Sequence, residues 1–145
     1  MEQLPFKVSV SATLWNKEPE YTILLDGKTI ENSTVGSDLK TIDFSSSLED
    51  GKHQLIIRLE NKTPQDTQID NGNIVNDMLL NIEDVEIDNV SLNSLLWDFT
   101  YKLDQKQEYN GKLQQELSGC RNLGWNGSYI IDFETPFYLW LLEKL

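Results

Sequence analysis

The chain has one histidine, one cysteine and 24 acidic residues, and these bound the chemistry open to it. Any mechanism pairing a nucleophile with an imidazole base must use His53. His53 follows Gly51-Lys52 at the start of an alternating run, where a histidine reads as a hydrogen-bonded structural residue. There is no glycine-rich phosphate loop, zinc-ligand spacing or thiol pair. Paired carboxylates can hydrolyse glycosides, but among 24 acids some pair is inevitable, so the count diagnoses nothing. The stretch with the most chemical content is Asp66 to Asp77. Asp66, Gln68, Asp70 and Asp77 fill the first, third, fifth and twelfth places of a twelve-residue calcium loop, whose alternate oxygens converge on a hard cation. The sixth place, glycine in that pattern, is Asn71, and Asp77 stands where the pattern has a bidentate glutamate. The expectation is a protein that is not an enzyme and has no cofactor, with Asp66, Asp70 and Asp77 as its candidate calcium ligands.

Aromatic residues are the other supply of binding chemistry, with four tryptophans and five tyrosines. Exposed aromatics stack on sugars or anchor protein interfaces, and buried ones fill cores. Phe99, Tyr129 and Phe133 fit a core pattern, whereas Trp15 and Trp125 lie in turn-like sequence and read as surface residues. The tail from Pro136 to Leu145 is too apolar to sit free in water and must pack on the sandwich or on a neighbour. Trp125, Phe137, Trp140 and Leu141 are therefore the expected interface residues.

Twelve basic against 24 acidic residues give a net charge of −12. Such a surface repels phosphate backbones, because nucleic-acid affinity rests on Lys and Arg neutralising them. Nucleic acid is excluded as a partner on that ground. Membrane insertion is excluded because the longest apolar run, Phe137 to Leu142, is far shorter than a span. A single cysteine allows no internal disulfide, and Met1-Glu2-Gln3-Leu4-Pro5 lacks the features of a signal peptide, so folding in a cytoplasm is expected.

The elements that must position these residues are strands. Phe6 to Leu14, Tyr21 to Leu25, Lys40 to Phe44, Leu55 to Leu59 and Tyr129 to Phe133 alternate apolar with other residues, the period of a half-buried strand. Asp26-Gly27 and Asp88-Asn89 are hairpin turns by composition, with return strands from Lys28 and Val90. Between Ile82 and Val85 the alternation slips by one, which predicts a β-bulge around Glu83-Asp84. Trp97, Phe99, Tyr101 and Leu103 read as a strand with an aromatic face. Thr63 to Asn76 reads as an exposed loop. Asp104 to Arg121 is ambiguous, and Leu113 and Leu117 permit a short helix bracketed by Gly111 and Gly119. Thr135-Pro136 reads as the start of a terminal helix, with Thr as N-cap and Pro at the first position. About nine strands, with turn signals every eight to twelve residues, predict an all-β, antiparallel, jelly-roll-like sandwich with a short C-terminal helix, one domain over residues 1–145.

Two resemblances add to this reading. The run Gly51-Lys52-His53-Gln54-Leu55-Ile56-Ile57, then Asn61, then Leu79 to Leu92 with Ile87-Asp88-Asn89-Val90, resembles calcium-dependent xylan-binding carbohydrate-binding modules. That likeness implies a jelly-roll sandwich with a cation in a loop near the sugar. Where those modules have an acidic residue directly after Asn61, this chain has Lys62. The ending Leu123-Gly124-Trp125-Asn126-Gly127-Ser128-Tyr129 through Glu143 is similar to small proteins of contractile-tailed phages of marine cyanobacteria. That similarity implies a virion component assembled in the host cytoplasm. The leading expectation is a non-catalytic virion structural or decoration protein contacting other virion proteins or itself. The alternative is a calcium-dependent carbohydrate-binding module contacting a surface glycan.

Overall fold

Period-two burial runs through nearly every long strand and sets the architecture, since each strand must turn its apolar face to a common core. The computed structural model describes residues 1–145. β1 (Glu2–Thr13) buries Leu4, Phe6, Val8 and Val10 and exposes the residues between them in part or in full. β2 (Glu20–Leu25) and β3 (Lys28–Thr34) form a hairpin through Asp26-Gly27, whose φ angles of 50° and 81° suit that pair. β4 (Lys40–Leu48) and β5 (Gly51–Leu59) follow, and β5 buries Leu55, Ile57 and Leu59 completely. β6 (Thr67–Asp70) and β7 (Asn73–Asp77) make a separate two-stranded hairpin. The chain continues through β8 (Leu79–Ile87), β9 (Val90–Ser91), β10 (Thr100–Tyr109), β11 (Lys112–Ser118), β12 (Asn122–Leu123) and β13 (Gly127–Thr135) to the helix α1 (Phe137–Lys144).

One sheet runs β12-β8-β1-β4, with β9 paired to β8, and the other runs β11-β10-β13-β5-β2-β3. Every pairing is antiparallel. A single cluster of 29 buried apolar residues fills the space between the two sheets. The fold is thus the expected antiparallel, jelly-roll-like sandwich, and β5 is an inner strand of its larger sheet. The bulge is where the slipped alternation puts it: Ser9 faces Asp84 and Val10 faces Ile82, leaving Glu83 as the extra residue. Asp88-Asn89 is a turn with φ of 55° and 63°.

Four segments differ from the sequence reading. The stretch expected as an exposed loop contains a 3-10 turn at Pro64–Asp66 and the β6–β7 hairpin, turned by Asn71-Gly72. The stretch in which a helix was permitted is the β10–β11 hairpin. Asn110-Gly111, with φ of 54° and 76°, reverses the chain and leaves Leu113 exposed while Leu117 is buried. With the short β12 added, these hairpin strands raise the nine expected to thirteen. Trp97 lies in a 3-10 turn over Asn93–Trp97, before the aromatic strand begins at Thr100. Finally, Thr135 belongs to β13 and Pro136 is the N-cap, one residue later than expected, because the Thr135 hydroxyl is donated to the Glu49 carbonyl at 2.7 Å.

The terminal helix packs within the chain. Phe137 and Trp140, 1% and 5% exposed, meet Phe133 with ring centroids 6.4 and 6.5 Å away. Phe133 in turn meets Phe6 at 6.0 Å, so α1 closes one end of the sandwich. Phe137 and Trp140, expected as interface residues, therefore have almost no surface to offer a partner. Leu141 is partly buried against the same core. The apolar residues left exposed on α1 and its C-cap are Tyr138, Leu139, Leu142 and Leu145.

Candidate functional site

β5 and β13 pair along their whole length, from Gly51 opposite Thr135 to Leu59 opposite Gly127. Each end of this pair carries a cleft, and the two clefts differ in what their polar groups do.

At the Gly51 end a cleft of about 550 Å³ is lined by Asp26, Lys52, His53, Gln54, Asp132, Phe133, Glu134, Trp140 and Lys144. His53 Nδ1 lies 2.6 Å from Asp26 Oδ2, and Nε2 lies 2.7 Å from the Glu49 carbonyl. Both partners are acceptors, a setting that favours the imidazolium, which donates from both ring nitrogens. Burial pulls the His53 pKa down, but the Asp26 carboxylate and the Glu49 carbonyl outweigh it and leave the value raised. Asp26 also accepts from the Gln54 backbone at 2.8 Å, and the Gln54 amide donates to Asp132 at 2.9 Å. His53, Asp26, Gln54 and Asp132 thus satisfy one another, while Lys52, Glu134 and Lys144 are exposed. Both ring nitrogens of His53 are engaged by neighbouring groups, which ties the imidazole into the fold.

At the Leu59 end the cleft is larger, about 770 Å³, within the usual range for ligand sites. Its walls come from segments the sequence left as loop or ambiguous. The β6–β7 hairpin contributes Thr67, Ile69, Ile74 and Asp77, and β10 contributes Gln105, Gln107 and Tyr109. Turns supply Trp97, Arg121, Trp125 and Asn126, and β12 supplies Asn122. Trp97 is 50% exposed and Tyr109 42%, both unusual for large aromatic side chains without a ligand to cover them. Trp125 stands edge-on to Tyr109, centroids 6.1 Å apart at 85°.

The position of each aromatic has a local cause. On the β12 side of β8 the ladder ends at Asn81, next to the bulge. Arg121 takes up the carbonyls beyond it, Nε donating to Ile82 at 3.1 Å and Nη2 to Glu83 at 2.5 Å. So fixed, its guanidinium lies 5.2 Å from the Trp97 ring centroid, a cation–π contact that orients the indole. Trp125 is held by Tyr101, whose hydroxyl accepts from the Trp125 N–H at 3.0 Å and donates to its carbonyl. Asn126 binds the Lys62 backbone reciprocally, accepting from its N–H at 2.7 Å and donating to its carbonyl at 3.0 Å.

Among the lining residues Asp77 is the only carboxylate. Two-carboxylate glycoside hydrolysis has no second acid here. Cys120 also lines the cleft, and burial pushes its thiol pKa up, away from the nucleophilic thiolate.

The three acids read as candidate calcium ligands are not gathered. Asp66, fully buried, accepts from Asn16 at 2.8 Å, from Lys17 Nζ at 2.9 Å and from the Thr63 N–H and hydroxyl at 2.7 and 2.9 Å. Burial alone would raise its pKa, but these hydrogen bonds hold it down to about 2. Asp77 accepts from Lys62 Nζ at 2.5 Å and Thr67 Oγ1 at 2.6 Å. Asp70 is exposed beside the Asn71-Gly72 turn, at the far end of the hairpin from the Thr67–Asp77 pair. Nowhere do three His, Cys, Asp or Glu side chains come together as a metal site. Of the expected interface residues, only Trp125 lies in this cleft. Trp97, Tyr109 and Arg121 were missed as site residues, and Lys62 was marked only as standing where the modules have an acidic residue. Trp97 was assigned to a strand, and the other three sit in polar sequence without periodicity.

No protein-family model and no curated protein matches the chain. Solved structures do share its fold. The carbohydrate-binding module vCBM60 in complex with galactobiose aligns with a TM-score of 0.57 at 10% identity, covering 87% of this chain and 95% of that one. A selenomethionine form of vCBM60, described within calcium-dependent carbohydrate-binding modules related by circular permutation, aligns at 0.56 and 10% identity, covering 88% of each chain. At that identity the likeness is one of fold.

Proposed function

We propose that the protein is a non-catalytic carbohydrate-binding module whose sugar-binding site is the cleft at the Leu59 end of β5. The observation that carries this is the joint exposure of Trp97 and Tyr109 beside Trp125 in one 770 Å³ cleft. Aromatic faces cover the apolar C–H faces of pyranose rings. The amides of Gln105, Gln107, Asn122 and Asn126 and the charges of Lys62, Asp77 and Arg121 supply donors and acceptors for hydroxyls. The fold shared with vCBM60 supports the reading, and the lone carboxylate argues for binding over turnover. Affinity electrophoresis against a panel of neutral plant and algal polysaccharides tests it. Retardation by at least one polysaccharide is expected, abolished in Trp97→Ala and in Trp125→Ala. Mobility unchanged by all of them counts against it, and release of reducing sugar would replace it with an enzyme.

A second reading rests on a different surface. Tyr138, Leu139, Leu142 and Leu145 leave an apolar strip exposed on α1. That strip favours attachment by protein–protein contact, as a virion structural or decoration protein would use. Co-sedimentation with intact particles, lost on Leu139→Glu, tests that reading. The two readings are compatible, because the strip and the cleft lie at opposite ends of the β5–β13 pair.

A further inference from the structure

The geometry points to a sugar site that works without a divalent cation, because the ammonium of Lys62 already occupies the position a cation would take beside Asp77. This rests on the carbohydrate-binding reading of the cleft and names the polar contact within it.

Lys62 lies three residues beyond the Leu59 end of β5, and its side chain is only 7% exposed. Its Nζ is 2.5 Å from Asp77 Oδ1 and 2.6 Å from the Met78 carbonyl. A carboxylate and a backbone carbonyl converging on one point are two of the six to eight oxygens a hard cation such as calcium takes, and here the point is filled by a charge the chain supplies itself. The backbone of Lys62 is locked from the other side by Asn126, so the ammonium is held in place. An ion entering this position would have to displace a buried ammonium and leave it unpaired, which is strongly unfavourable. Of the loop's two other acids, Asp66 is closed in the same way, with Lys17 and three further donors on it, and Asp70 stands exposed at the far end of the hairpin.

The pair also has capacity left for a ligand. An ammonium has three N–H donors, and two are used, by Asp77 and Met78. Asp77 receives both of its hydrogen bonds on Oδ1, from Lys62 and Thr67, which leaves Oδ2 free beside Gly124. One spare donor next to one spare acceptor fits two adjacent hydroxyls of a sugar ring, since each hydroxyl can donate and accept. The ligand class is a neutral glycan with a free vicinal diol at the ring that reaches the cleft floor.

The test has two arms on the full chain. In the first, thermal melting and calorimetric titration compare millimolar calcium chloride with EDTA, without sugar. An unchanged Tm and no binding heat are expected, and a calcium-dependent rise in Tm or a saturable heat overturns the inference whatever the glycan results. In the second, a polysaccharide retained by the wild type is titrated into wild type and Lys62→Met, with and without EDTA. Chelator should change neither affinity, and Lys62→Met should weaken binding about tenfold, the scale of one hydrogen bond to a charged donor. Calcium-dependent binding, or full affinity in a folded Lys62→Met, overturns the inference while leaving the carbohydrate reading intact. Absence of any glycan binding ends the carbohydrate reading, and the calcium titration then still decides whether the ammonium has replaced the ion.

Discussion

The two ends of the β5–β13 pair put similar ingredients to opposite uses. At the Gly51 end, His53, Asp26, Gln54 and Asp132 hydrogen-bond one another, and α1 buries its own aromatic residues Phe137 and Trp140 against Phe133. At the Leu59 end, aromatics of the same kind stand half exposed, and the charges of Lys62 and Asp77 are only partly used. A protein stabilises itself by satisfying its polar groups and covering its aromatics. Where it leaves them open in one concave place, a ligand is the natural partner. On the proposed reading, binding belongs to the Leu59 end and stability to the Gly51 end, and substitutions at the two ends should separate accordingly.

The largest expected effect is on folding and comes from the backbone that carries the cleft. A Cβ at Gly127 would lie 2.4 Å from the Lys102 carbonyl oxygen and 2.9 Å from Leu103 Cα, across the β13–β10 ladder. Gly127→Ala should cost about 3 kcal/mol, at the upper end of overpacking effects, as read by urea unfolding. Asp66→Ala comes next. It strips Asn16, Lys17 and Thr63 of their common acceptor, and with Lys17 partly solvated the loss should be roughly 2 kcal/mol. Its carboxyl, held at about 2 when folded, contributes stability that is present above the ordinary carboxylate range and lost as the pH falls toward that value. Acid unfolding of Asp66→Asn should accordingly be less steep than that of wild type.

Smaller effects sharpen the contrast. His53→Ala should cost about 1–2 kcal/mol, the scale of losing a charged hydrogen-bond donor, with no change in glycan affinity. Because the folded pKa of His53 lies above its unfolded value of about 6.5, its contribution is complete below that pH and fades as the pH rises through the folded value. Wild-type Tm should therefore decline over that window while Tm of His53→Ala stays flatter. Trp97→Ala should leave Tm nearly unchanged, since half of the side chain is already in water, yet remove most glycan binding. If His53→Ala lowered affinity as much as Trp97→Ala, the division between the two ends would collapse.

The scaffold was legible in the sequence to a greater degree than the site. Strands with one buried face announce themselves by alternation, so β1, β5, β8 and β13 and the bulge at Glu83 follow from where the apolar residues fall. The β6–β7 hairpin, β10 beyond Leu103 and β11 do not. Ile69, Ile74 and Leu113 are exposed, and the rest of those strands is largely polar, so no buried stripe marks them. The one available signal was the turn chemistry. Asn71-Gly72 and Asn110-Gly111 carry the same signature as Asp26-Gly27, which was read correctly because apolar residues flanked it. The walls of the cleft were missed because a surface built to meet a ligand lacks the pattern that burial imposes. The same reason hid Trp97, whose neighbours alternate as a strand although a 3-10 turn carries it out to the cleft.

Backbone amide and tryptophan indole shifts, followed by NMR as a retained polysaccharide fragment is titrated in, test the division of the two ends most directly. Perturbations are expected at the Trp97 and Trp125 indoles and at the amides of Lys62, Thr67, Tyr109 and Asn126, with His53, Gln54 and the Trp140 indole unmoved. Perturbations confined to His53, Asp132 and Trp140 would contradict the assignment and place the site at the other end of the sheet.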